Sequence, residues 1–98
     1  MKANMKAKGY FFISSSDRLY YVSIYGSRYA IIDVDNCIVV EFTLSRRLGV
    51  REVSKIIKCM EALGRHELMK IELEDTLGAT EIRVYRYEPR KVKVSKEA

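Results

Sequence analysis

Residues 19–34 read Leu19-Tyr20-Tyr21-Val22-Ser23-Ile24-Tyr25-Gly26-Ser27-Arg28-Tyr29-Ala30-Ile31-Ile32-Asp33-Val34. β-Branched and aromatic residues crowd both halves, and Gly26-Ser27 offers a two-residue turn with glycine at its first central position. That turn pairs Ile24 with Tyr29, Val22 with Ile31 and Tyr20 with Asp33. Immediately downstream, Asp35 and Asn36 tolerate the left-handed region and lead into Cys37–Leu44. A second tight turn there sets Ile31 opposite Val40 and Tyr29 opposite Phe42. Both turns place Tyr20, Val22, Ile24, Tyr29, Ile31, Ile38, Val40 and Phe42 on one face. Tyr21, Ser23, Tyr25, Arg28, Ala30, Ile32, Glu41 and Thr43 fall on the other. Two turns giving one apolar face fix the register, because a slip of one residue would invert every side chain.

Working outward, Tyr10-Phe11-Phe12-Ile13 runs into the turn cluster Ser14-Ser15-Ser16-Asp17 and reads as a first strand. Val50, Val53, Ile56, Ile57, Met60 and Leu63 recur at three- and four-residue spacing, which predicts a helix over 50–63 with Gly64 as its stop. Leu68–Glu74 alternates, with Met69, Ile71 and Leu73 on one side, and reads as a fifth strand. Thr80–Glu88 reads as a sixth, ended by Pro89. Lys91-Val92-Lys93-Val94 fits a lysine-guarded edge extension. The expectation is one α+β domain, an antiparallel sheet in the order ββββαββ with one amphipathic helix on one face.

The 98 residues suit one small domain. Cys37-Ile38-Val39-Val40 is the longest apolar run, far short of the ~20 residues of a membrane span. The basic N-terminus has no apolar stretch behind it to make a signal peptide, so a cytoplasmic location away from membranes is expected. Net charge is +5. It sits in two basic tails, 1–9 and 89–98, around a body where 11 Lys and Arg face 12 Asp and Glu. Cys37 and Cys59 lack metal or redox spacing and read as small core residues. The absence of glutamine and the wealth of Lys, Arg and Glu run in the thermophile direction.

Catalytic signals are thin. His66 is the sole histidine, beside no serine or cysteine nucleophile. No His and Cys set has zinc spacing, and the glycines are isolated rather than arranged as a phosphate loop. Ile31-Ile32-Asp33-Val34-Asp35 resembles the nucleophile motif of haloacid-dehalogenase-type phosphatases, but the strand that follows it is not the helix that chemistry requires. No enzyme activity, metal or cofactor is expected.

The stronger signal is aromatic and basic residues interleaved on strand faces. Bases of single strands stack on exposed rings while Arg and Lys take phosphates. Tyr21, Tyr25 and Arg28 on one sheet face, Arg83, Tyr85 and Tyr87 near the end, and the tail residues Lys91 and Lys93 fit that chemistry. They point to a small binder of single-stranded DNA or RNA. The alternative is a protein-interaction or inhibitor module using the same tyrosine-bearing face or the helix, because Tyr and Arg are enriched in both kinds of interface.

Tyr21-Val22-Ser23-Ile24, then Gly26, Arg28 and Ile32-Asp33-Val34, resembles the strand pair of the transcriptional positive-cofactor-four family of single-stranded-DNA binders. The resemblance covers about half the chain. It implies a curved antiparallel sheet followed by a helix, dimerisation through that helix, and Arg28 with its neighbouring tyrosines facing DNA. A homodimer is expected on residue grounds as well, since Ile32, Val34, Val39 and Leu48 lack obvious cover within one chain.

Overall fold

A computed structural model describes residues 7–63 and 65–88. Five strands form one antiparallel sheet in sequence order: β1 (Lys8–Ile13), β2 (Leu19–Tyr25), β3 (Arg28–Asp33), β4 (Ile38–Thr43) and β5 (Thr80–Arg86). Two helices, α1 (Val50–Leu63) and α2 (His66–Leu77), intervene between β4 and β5. The class is α+β as the sequence implies, and the registers of the first two tight hairpins are those read from it. Val22 opposes Ile31, and Ile31 opposes Val40. Gly26 takes a φ of 62°, the left-handed conformation the Tyr25–Arg28 turn needs.

One face of the sheet carries the core. Tyr20, Val22, Tyr29, Ile31, Val40 and Phe42 pack with Val53, Ile56 and Ile57 of α1 and Met69 and Leu73 of α2. Both helices therefore bury their stripes on the same side of the sheet, leaving the other side free of helix. The β1–β2 turn is tied to this layer. Ser14, Ser16 and Tyr20 all donate hydrogen bonds to the Glu61 carboxylate, at 2.9, 2.7 and 2.8 Å.

Three expectations need correction. Leu68–Glu74 is part of a helix, not a strand, so the chain has five described strands and two helices. Its apolar positions fit both periods, but Met69 and Leu73, four apart, are buried, whereas Ile71 is 53% exposed. Glu, Leu, Met and Lys favour a helix there, and Gly78 closes it at φ 69° with its N–H donating to Glu74 O. Next, the β3–β4 connection is longer than Asp35-Asn36. Asp33 pairs with Ile38, and it is Cys37 that takes positive φ. The Asp33 carboxylate holds this turn by accepting the Asn36 backbone N–H and side-chain amide, so its buried charge is partnered. Finally, Leu48 packs against the core and its N–H donates to the Tyr29 hydroxyl, and Val39 is buried within the single chain, so neither needs a second chain to cover it.

The helix stop at Gly64, the edge extension at 91–94 and both basic tails (apart from Ala7, Lys8 and Gly9) lie outside the described residues. No helix among the described residues is long and apolar enough to cross a membrane.

Candidate functional site

Strand alternation sends every second residue to the helix-free face, and the registers line these residues up in rows across the sheet. One row runs Phe11, Tyr21, Ile32, Val39, Tyr85, one residue from each of the five strands. The next runs Gly9, Ser23, Ala30, Glu41, Arg83, and a third holds Tyr25, Arg28 and Thr43. The first row is aromatic and aliphatic throughout. Phe11 and Ile13, on edge strand β1, are each 66% exposed. Phe11 meets Tyr21 edge-on, with ring centroids 5.0 Å apart. The phenol of Tyr21 lies across Gly9, where a Cβ would collide with it. Glycine at that edge position leaves room for the Tyr21 ring to lie across the strand, with the Phe11 ring inclined at 65° to it.

Beside this row sits a polar network centred on Glu41. Its carboxylate accepts the Tyr85 hydroxyl at 2.6 Å and faces Arg28 at 3.3 Å and Arg83 at 3.7 Å. The hydrogen bond to Glu41, with burial behind it, pushes the Tyr85 phenol above its ordinary pKa. Arg28 reaches a second carboxylate, Glu81, at 3.5 Å, and donates to Thr43 Oγ1 at 2.8 Å. Glu81 enters through a β-bulge: between the pairs Glu41–Arg83 and Thr43–Thr80, β5 has one residue more than β4. Glu81 takes a φ of 50° there. Bulges re-aim side chains, and this one turns an acid onto the arginine. Two arginines and two carboxylates thus share the patch, and their charges cancel.

Tyr21, Tyr25 and Arg28 share one face, as the sequence suggested, and the register of β5 adds Arg83 and Tyr85 to it. Tyr87 follows β5 and its N–H donates to Cys37 O at the far end of the sheet. Lys91 and Lys93 lie outside the described residues. Sequence reasoning missed Glu81, because a bulge leaves no mark in an alternating pattern. It placed Glu41 on this face without its central role, which follows only once Arg28, Arg83 and Tyr85 are known to converge. Across residues 7–88, 12 Lys and Arg balance 12 Asp and Glu.

Elsewhere, α1 and α2 splay to leave a cleft of about 180 Å³, with Ile56, Cys59, Met69 and Leu73 among its lining and Glu52, Lys55 and Glu72 beside them. Burial, with Glu72 nearby, raises the Cys59 thiol pKa and so disfavours the nucleophilic thiolate. His66 is exposed at the start of α2. Among the described residues no three His, Cys, Asp or Glu side chains are grouped to hold a metal ion. Comparisons of the chain with protein-family models, curated proteins and solved structures find no match.

Proposed function

We propose that this protein is a non-catalytic interaction module whose helix-free sheet face docks a polypeptide, in the first instance a second copy of the same chain. The observation that carries this reading is the pairing of Arg28 and Arg83 with Glu41 and Glu81, beside an apolar row spanning all five strands. A neutral patch carrying both signs next to an apolar band suits a protein surface better than a phosphate backbone. It also suits itself. A two-fold contact brings one patch against its own copy, so the exposed Arg83 and Glu81 of one chain can meet their opposites in the other. Five strands ~4.8 Å apart and residues rising ~3.3 Å give a face roughly 20 Å on each side, before side-chain relief is added. Two such faces together approach the ~1,000 Å² of buried surface at the lower end for a specific interface.

Sedimentation velocity over a concentration series tests this. A dimer is expected at micromolar chain. Phe11→Ser with Ile13→Ser should shift it to monomer while the thermal melt stays close to the parent, because both side chains are mostly exposed. A parent that is monomeric at every concentration sinks the self-association reading.

Single-stranded nucleic acid on the same face is the second reading. Phe11 and Tyr25 are 66% and 51% exposed and offer rings for stacking, and Arg83 lies 5.3 Å from the Tyr85 ring centroid. It requires a phosphate to displace Glu41 or Glu81 from an arginine. The positive-cofactor-four resemblance favours this reading, although α2 and β5 extend beyond the sheet-then-helix plan that the resemblance implies.

A further inference from the structure

We infer that the solvent face of α1 is a second binding surface, one that takes the phosphate backbone of double-stranded nucleic acid. Arg51, Lys55 and Lys58 follow one another at intervals of four and three residues, so they form a single stripe along α1. Arg47 precedes the helix, and all four residues are exposed. Their lack of an ion-pair partner, shared by Arg18, Arg65 and Arg86 among the described residues, separates them from Arg28 and Arg83 on the sheet face and from Arg46 before α1. Arg28, Arg46 and Arg83 each have a carboxylate within 4.0 Å. None of Arg47, Arg51, Lys55 and Lys58 forms an ion pair among the described residues. Glu52 and Glu61, the acids of α1, are engaged elsewhere, with Arg46 and with the serine turn. Lys55 also borders the interhelix cleft near Glu72, which makes it the weakest member of the stripe.

A basic stripe is often no more than a solvated face, and two further features argue for more. Lys8 alternates with Tyr10 and Phe12, which pack on the core, so it points to the helix side of the sheet. It pairs with Ile24, which pairs with Tyr29, and the Tyr29 hydroxyl touches the Arg46–Leu48 backbone. Lys8 thus lies on the same side of the sheet, and at the same end, as the start of α1. The second feature is what the stripe lacks. It has no aromatic ring, so nothing there stacks an unpaired base, and the fold's exposed rings lie on the opposite side of the sheet. The apolar stripe of α1 is buried in the core, which removes the means by which an amphipathic helix enters a lipid surface. Cations at helical spacing without rings match a regular duplex backbone, bound without regard to base sequence.

The test is fluorescence anisotropy of the full chain with a short duplex and with its single strand, titrated between about 50 and 200 mM salt. The parent should favour the duplex. The triple variant Arg51→Ala, Lys55→Ala, Lys58→Ala should flatten the log–log salt slope for duplex by about 0.9 per cation removed. Lys70→Ala, an exposed lysine on α2, should leave the slope unchanged. A triple variant with the parental slope, or a parent that binds neither probe, overturns the proposal. Equal competition by polyglutamate also overturns it, since any polyanion would then serve. None of these outcomes depends on whether the sheet face dimerises, which sedimentation reads separately.

Discussion

The side chain of Tyr20, buried near the start of β2, donates a 2.8 Å hydrogen bond from its hydroxyl to Glu61 on the last turn of α1. Two serines of the β1–β2 turn donate to the same carboxylate, so one side chain ties three parts of the fold together. Hydrogen bonds to charged groups contribute about 1.5–3 kcal/mol. Tyr20→Phe removes one donor and leaves Glu61 its serines. Urea denaturation should show a loss of about 2 kcal/mol with an unchanged m-value.

The same carboxylate sets an acid limit. Burial alone would raise the Glu61 pKa, but hydrogen bonds from Ser16, Tyr20 and Ser14 outweigh it and hold it below the ordinary value. Glu52 is held at about 2 by its hydrogen bonds with the Arg46 guanidinium and the Gly49 N–H. Both groups bind protons more weakly folded than unfolded. Their contribution is complete above the ordinary carboxyl pKa of 4.5 and fades as pH falls through the folded values. Thermal melts from pH 6 to about pH 2 should show the midpoint falling with acid. The fall should be shallower in Glu61→Gln, which begins from a lower midpoint.

Helix and strand readings of 68–74 make opposite forecasts at Ile71. A strand would bury it with Met69 and Leu73, whereas the helix leaves it 53% exposed. Ile71→Asp should change stability by less than about 1 kcal/mol. Leu73→Asp and Ile57→Asp, at 1% exposure each, should unfold the chain by circular dichroism, because an unpaired buried charge costs several kcal/mol. An Ile71→Asp variant as damaged as Leu73→Asp would contradict the helix.

Glu41 can be removed to ask what the sheet face does with free arginines. Glu41→Gln leaves the patch with excess positive charge and deprives the Tyr85 hydroxyl of its carboxylate. The Tyr85 pKa should move down toward the ordinary phenol value, followed by NMR titration. Single-strand affinity should rise at low salt while self-association weakens. If single-strand affinity falls instead, Glu41 belongs to a nucleic-acid site and the protein-docking reading is wrong.

The sheet's first four strands were legible because three short turns interrupt runs of strict alternation. Gly26 alone fixes which residue of β2 meets which of β3. α1 was legible because its apolar spacing fits no strand. α2 was not legible from spacing: Met69, Ile71 and Leu73 satisfy period two and Met69, Leu73 and Leu77 satisfy period four, so helix propensity, the Gly78 cap and packing against β5 and α1 select between them. The candidate face was half legible. Alternation assigns its tyrosines and Arg28, but the charge balance depends on Glu81, which a bulge places there.

Strand order carries a further consequence, for how the chain assembles. β1 to β4 pair with immediate neighbours across turns of a few residues, but β5 reaches β4 only across both helices. Contacts between distant residues carry the larger loop-closure entropy and tend to form late. The four-strand meander should then nucleate first, and mutations such as Val22→Ala or Ile31→Val should slow folding more than Val84→Ala does. Until the chain has been made through Arg86, β4 presents an unpaired edge bearing Ile38, Val39 and Val40. Apolar edges of this kind recruit other strands. The window before β5 docks is therefore when this protein is most prone to misassemble, and substitutions that delay β5 should raise aggregation during refolding without lowering the stability of what does fold.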